Sequence, residues 1–249
     1  MPSKFYIPVK EISIDKDFSE WFALWLGDGD RSLKRGTIGM ANQCENVIIF
    51  NMDILNRVFG LNFKRFRCEI TTKEDDLNQV RDKWSKILKL PLEQIRHIQK
   101  NNMATKDCCR VFVYSELLLK ELLNFEDDLL NTISNSNEDI KSAFINGIFA
   151  AEGNIRLDSK CIRIGMKNEK IIKFVSKILS DLGINSFIAL NTHTNALELS
   201  IFGYNNFIRF NQIGGFGKHT DKNLNLEKQI KSYERKLPWY ERFRRLKYI

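Results

Sequence analysis

This 249-residue chain predicts an α+β fold built from two related halves, and three observations carry that prediction. An apolar segment closing on a carboxylate and a glycine occurs twice. Each copy is followed by residues alternating at period two, as half-buried strands do. Each half then offers a helix-length stretch ending at a glycine, in the manner of a helix C-cap. Each half therefore reads α-β-β-α-β-β-α.

The repeated segments are Trp21–Gly29, WFALWLGDG, and Ile145–Gly153, INGIFAAEG. Each carries two small residues four apart, Ala23/Gly27 and Gly147/Ala151. A helix that is apolar all round is buried, and a small stripe lets a second helix approach closely. The two segments are thus expected to pack together with their C-terminal ends adjacent. That arrangement brings Asp28 and Glu152 to one place. A helix C-terminus is already partly negative, so two carboxylates meeting there call for a counter-charge, which a divalent cation supplies. A single Asp-Gly after a helix is an ordinary turn; two copies in the same context carry the signal.

After the first motif, DRSLKRG and TIGMAN are read as paired strands; after the second, NIRLDSK and CIRIGMKN. Ile155 and Leu157 fall on one face, with Asn154, Arg156 and Asp158 on the other. Ile162, Ile164 and Met166 likewise oppose Arg163, Gly165 and Lys167. The stretches Glu45–Phe59 and Glu169–Leu182 follow as helices before Gly60 and Gly183. NFKRFRCEIT and SFIALN, then CRVFVYS and ALELSIFG, complete the strands before a closing helix. The organisation is an N-terminal half over 1–124 with a helical insert at about 74–100, broken at Pro91. A solvated, acidic, Asn/Ser-rich linker occupies 125–140. The C-terminal half covers 141–249 and ends in a basic tail.

Composition sets the outer bounds. At 43% hydrophobic residues the chain can bury real cores, which excludes global disorder. The net charge of +8 favours a polyanionic partner, and the 32 residues from Lys218 supply ten Lys/Arg against four Asp/Glu. No apolar run is long enough to span a bilayer, and the N-terminus lacks the apolar stretch of a secretory signal. The five cysteines form no CxxC pair, so reduced thiols in a cytoplasmic protein are expected. His97, His193 and His219 are scattered and build no metal box.

The two motifs with their following strands resemble those of single-chain LAGLIDADG homing endonucleases, archaeal intron-encoded members especially. The likeness runs from about Phe18 to Leu226. It implies a pseudo-two-fold monomer with motif helices at the interface and two saddle-shaped antiparallel sheets lying in the major groove of double-stranded DNA. It also implies that Asp28 and Glu152, with the preceding Gly27 and Ala151, hold Mg²⁺ or Mn²⁺, two or three ions in all, near the scissile phosphates. Metal ions clamping the attacking and leaving oxygens would supply the charge neutralisation that hydrolysis needs.

Family members place a polar residue at the end of the second strand of each half. Fifteen residues beyond the acids stand Gln43 and Lys167. The repeated IGM offers another register, pairing Ala41 with Lys167, and Asn42 stays a candidate. A basic residue after the last helix is also common in the family; Lys218 fits, with Lys222 as second choice. For DNA contacts the strand faces offer Arg31, Lys34, Arg35, Lys64, Arg65 and Arg67 in the first half, and Arg156, Lys160 and Arg163 in the second. The expected activity is site-specific double-strand cleavage of a long, roughly palindromic target. Two rival readings are an RNA maturase acting on its own intron and a DNA-binding regulator that lacks the chemistry.

Overall fold

The computed structural model describes residues 12–156 and 159–234. At its centre lie two helices. The first, α1 (Lys16–Asp28), begins where Asp15 accepts a hydrogen bond from the Phe18 amide at 2.7 Å, and everything from Phe18 to Leu26 is buried. The second, α6 (Glu138–Glu152), begins where Asn137 accepts from the Ile140 amide at 3.0 Å. They run parallel: Ser19 donates to the Ile140 carbonyl at 2.9 Å near one end, and Gly27 meets Ala151 at the other. A Cβ on Gly147 would lie 2.0 Å from the Glu20 carbonyl oxygen, and one on Gly27 would lie 2.5 Å from Ala151 Cβ. The small stripe is thus the helix–helix contact that the sequence predicts.

The halves share one plan. In the first, β1 (Thr37–Asn42) and α2 (Glu45–Arg57) follow the motif helix; in the second, β6 (Cys161–Met166) and α7 (Glu169–Asp181) do. The ends of α1 and α6, both ends of β1 and β6, and both ends of α2 and α7 are all 124 residues apart. After α2 and α7 the chain reverses through Gly60 and Gly183, at φ of +63° and +73°, the left-handed conformation that glycine tolerates best. The first half continues with β2 (Arg67–Thr72), α3 (Leu77–Leu88), β3 (Ile95–Lys100), β4 (Cys108–Tyr114) and α4 (Glu116–Asn124). The second has β5 (Asn154–Arg156) ahead of β6, then β7 (Ser186–Asn191), β8 (Ala196–Phe202), α8 (Tyr204–Gln212) and α9 (Thr220–Glu234).

The sheets follow the orders β1-β4-β2-β3 and β5-β6-β8-β7. In both, alternate residues face the helices: Ile38, Cys68, Ile70, Val111 and Val113 in the first, Ile162, Ile164, Leu199 and Ile201 in the second, all buried. The other face of each sheet is open. Every described pairing is antiparallel except β2 with β3, which is parallel.

Four expectations are corrected. Residues 30–36 form a turn, closed by the Gly36 amide on the Ser32 and Leu33 carbonyls, and only Gly29 bridges to Met40. Gly36 takes the left-handed conformation, at φ +59°, that closes this turn, and Arg31 is paired with Glu126, its guanidinium 5.3 Å over the Trp25 ring. The insert is only half helical, because α3 leads into β3. The stretch NFKRFRCEIT becomes a strand only at Arg67; a 3-10 turn over Phe63–Arg65 precedes it, with Asn62 accepting from the Lys64 amide. The expected linker is mostly α5 (Glu126–Ser134), whose first turn holds Glu126, Asp127 and Asp128 where a helix dipole favours them, and whose Leu130 and Ile133 are buried. Leu157, Asp158 and the basic tail beyond residue 234 lie outside the described residues.

Candidate metal and nucleic-acid site

The parallel packing of α1 and α6 carries their last residues to a common point, where Glu152 feels the charge of Asp28. Burial pushes the Asp28 carboxyl above its ordinary range, against the Asn42 amide and the Lys222 ammonium, which favour the charged form. Glu152 is raised by burial and then by Asp28, with Lys222 again opposing. Lys222, in the first turn of α9, donates to the carbonyls of Ala150 and Ala151 at 2.6 and 3.1 Å, closing the end of α6. Burial pushes its ammonium down to about 8, although both carboxylates pull the other way. Two acids and one base in a desolvated corner leave negative charge uncompensated.

Carboxylate oxygens are the donor type that a hard divalent ion takes, while the Ala150 and Ala151 carbonyls are occupied by Lys222. Among the described residues there is no group of three or more His, Cys, Asp or Glu that could hold a metal.

The halves differ at the polar position. Asn42 donates from Nδ2 to Asp28 Oδ2 at 2.7 Å, and its own Oδ1 accepts from the Cys44 amide at 2.8 Å. Gln43, the expected partner, is exposed and lines a cavity of about 780 Å³ with Lys73, Lys106 and Asp221. At the 124-residue spacing Asn42 matches Met166, while Gln43 matches Lys167, which is exposed. Lys218 is also away from the acids: its ammonium lies 4.9 Å over the Phe50 ring and its amide donates to Glu20 Oε1 at 2.9 Å. Lys222 takes the place expected of Lys218. Spacing along the chain could not rank the two, because one turn of α9 turns Lys222 inward.

The basic residues expected to touch DNA divide into those with and those without a partner for the side chain among the described residues. Lys34 and Lys64 are exposed in turns rather than on strands, and Arg156 is exposed on β5. Arg31 is ion-paired with Glu126, and Arg35 lies 3.8 Å from Asp30. Arg65 donates to the Tyr114 carbonyl at 3.1 Å, and Arg67 to the Lys64 and Phe66 carbonyls at 2.8 Å each. Lys160, at φ +49°, sits in a turn 4.8 Å over the Tyr233 ring. Arg163 does face the open side of its sheet, held by Glu198 at 2.9 Å.

Sequence reasoning missed Arg110. It occupies the middle of the first open face, bonded to Asp30 at 2.5 Å and Glu69 at 2.7 Å, and lies 4.1 Å over the Phe112 ring. The alternation in CRVFVYS puts this cation on the polar face and could have flagged it. Both open faces thus carry an arginine held by a carboxylate from a neighbouring strand.

Comparison with known proteins agrees with this architecture. Residues 139–215 match the family model described as a LAGLIDADG-like domain. Over 91 residues the chain is 31% identical to homing endonuclease I-DmoI of Desulfurococcus mucosus, a match covering 36% of this chain and 46% of that protein. The match therefore spans less than half the length of that curated relative. The fold superposes on I-DmoI in complex with DNA and Mn with a TM-score of 0.51 at 18% identity, over 82% of this chain and 98% of that one. It also superposes on full-length DUF199/WhiA from Thermatoga maritima with a TM-score of 0.51 at 15% identity, over 93% and 64%. At these identities the structural likeness is one of fold.

Proposed function

We propose, from the premise that this chain carries the LAGLIDADG-like domain and repeats its plan in both halves, that it is a site-specific endonuclease making metal-dependent breaks in double-stranded DNA. The observation that carries this reading is the meeting of Asp28 and Glu152 at the buried ends of paired helices, with charge to spare. The target is long and roughly palindromic, because two related sheets stand on either side of that point.

Asp28 and Glu152 would hold Mg²⁺ or Mn²⁺; the Ala151 carbonyl, expected to join them, instead accepts from the Lys222 ammonium. Held there, the ion would supply charge neutralisation at the phosphodiester and a more acidic water. The chain's own groups prepare the place. Asn42 fixes the carboxylate of Asp28, its far side anchored on the Cys44 amide. Lys222 balances part of the acids' charge and ties α9 to the end of α6. The helix pair sets the spacing of the two acids, since neither Gly27 nor Gly147 leaves room for it to change.

The test is incubation of the full chain with a plasmid library carrying varied inserts, with Mg²⁺ or with chelator. Linear product from a defined subset of inserts, only when Mg²⁺ is present, is expected. Binding with no cut under any divalent ion would support a regulator instead. Uniform degradation of all plasmids would overturn the site-specific reading.

A further inference from the structure

The two sheets are not copies, and the difference sits on the surface that faces away from the core. By position, β1, β4 and β2 match β6, β8 and β7. The first sheet has no counterpart of β5, since residues 30–36 are a turn, and it gains β3 beyond the opposite edge. Thirty-five residues separate Thr72 from Cys108, against four between Asn191 and Ala196, and β3 comes from that added length.

The added strand is built to present side chains on the open face. The register shifts between Cys68 and Glu69 because Arg96 is an extra residue on β3, so that Ile95 and Ile98 both face inward. His97 then stands beside Glu69, and Gln99 beside Thr71; both are exposed. Two cross-strand rows result. One runs Ala41, Arg110, Glu69, His97; the other runs Cys108, Thr71, Gln99. The second row starts next to the metal corner, because Cys109, adjacent to Cys108, pairs with Asn42, which is bonded to Asp28. The corresponding outer strand of the second sheet, β7, offers Phe187, Ala189 and Asn191 on its open face, and Asn191 is bonded to Glu198.

Arginine pairs in bidentate fashion with guanine and lysine also meets phosphate, while a glutamine pairs in bidentate fashion with adenine and a threonine methyl suits thymine. Residues 95–106 hold Arg96, Lys100 and Lys106 and no carboxylate, so this margin is compatible with a polyanion. Lys100 and Lys106 are engaged with Asp75 and Asp221, and Arg96 falls outside the register with β2, so His97 and Gln99 are the side chains that β3 sets in line with the open face. A strand adds about 4.8 Å of width, and a base pair rises about 3.4 Å. One extra strand thus reaches one or two further base pairs.

We infer that β3 is a base-reading strand: Gln99 and His97, with Thr71, contact base edges in the major groove of one half of the DNA target, at positions for which the second half has no reader. This rests on the endonuclease reading above. It is tested by selecting targets from a library of randomised duplexes with the full wild-type chain and with Gln99→Ala and His97→Ala. Both side chains are exposed, so both variants should melt with the wild type. Each variant should lose about tenfold or more of its base discrimination at one or two adjacent positions on one side of the target, with the remaining positions unchanged. A variant profile identical to wild type, or weakened uniformly at all positions, would overturn the inference alone. Enrichment of no sequence by the wild type would overturn the DNA-target reading and this inference with it.

Discussion

Asn42 and Asp28 are joined by a 2.7 Å hydrogen bond that, among the described residues, has no counterpart at Glu152, where Met166 holds the matching place. A hydrogen bond to a charged group contributes about 1.5–3 kcal/mol. Asn42→Ala should therefore slow cleavage about tenfold, and Gln43→Ala should change it less. Initial rates on one linear substrate decide this; a Gln43→Ala defect equal to or larger than that of Asn42→Ala would contradict the assignment.

Asp28→Asn and Glu152→Gln preserve shape while removing a hard anionic ligand. Each should reduce double-strand cleavage by at least about a hundredfold, in the range seen when one electrostatic contributor to a transition state is removed. Target binding measured without metal should persist or tighten, since two negative charges near phosphate are gone. Undiminished cleavage by the double variant would sink the reading.

Gly147→Ala should destabilise the protein by about 1–3 kcal/mol, because the new methyl meets the Glu20 carbonyl and the backbone cannot yield cheaply. Gly165→Ala is the control: its Cβ would find only the Glu198 side chain at 3.6 Å and the Leu197 carbonyl at 4.0 Å. Chemical denaturation of the two variants should separate them clearly. Equal midpoints would mean that the helix pair is looser than drawn.

Lys222→Met leaves the two acids without their cation and the end of α6 without its donor. Cleavage should fall more than tenfold, an order set by the loss of a charged hydrogen bond. Lys218→Met and Lys167→Met, at exposed sites, should have milder effects. The ranking of the three rates is the measurement.

His219 is half-buried, and burial, with Lys222 next, pushes its imidazole down from 6.5 to about 4. Folding therefore favours the neutral ring. The stabilisation is fully present above pH 6.5 and is lost as pH falls towards 4. Allowing for solvent screening at a half-exposed ring, the loss is about 1–2 kcal/mol. Melting temperature followed from pH 7 to pH 4 should drop less in His219→Gln than in the wild type. Parallel curves would assign the acid sensitivity elsewhere.

The central helices, their small stripe and the meeting of the two acids were legible because they depend on local pattern, repeated at a constant spacing. The 124-residue register was legible for the same reason, and it holds at the ends of three element pairs. What escaped depends on partners far along the chain. Arg31 leaves its expected strand for Glu126, 95 residues on. Lys222 is chosen over Lys218 by carbonyls more than 70 residues earlier. The strand β3 hid inside a stretch whose nearest strong signal was helical, and its exposed His97 and Gln99 break the simple alternation because of the bulge. Asn42 over Gln43 was a matter of one residue at a strand end, below what periodicity resolves.

The joining helix α5 has a consequence for how the molecule can change. It is packed into the structure through Leu130 and Ile133, and it makes the two halves one covalent body. Were the halves identical subunits, each new side chain would be installed on both sides at once, and a device such as β3 or the Asn42 clamp could exist only in pairs. Here a substitution is made once and lands on one side. The molecule can be rewritten one face at a time, while the duplicated helices hold the two acids together.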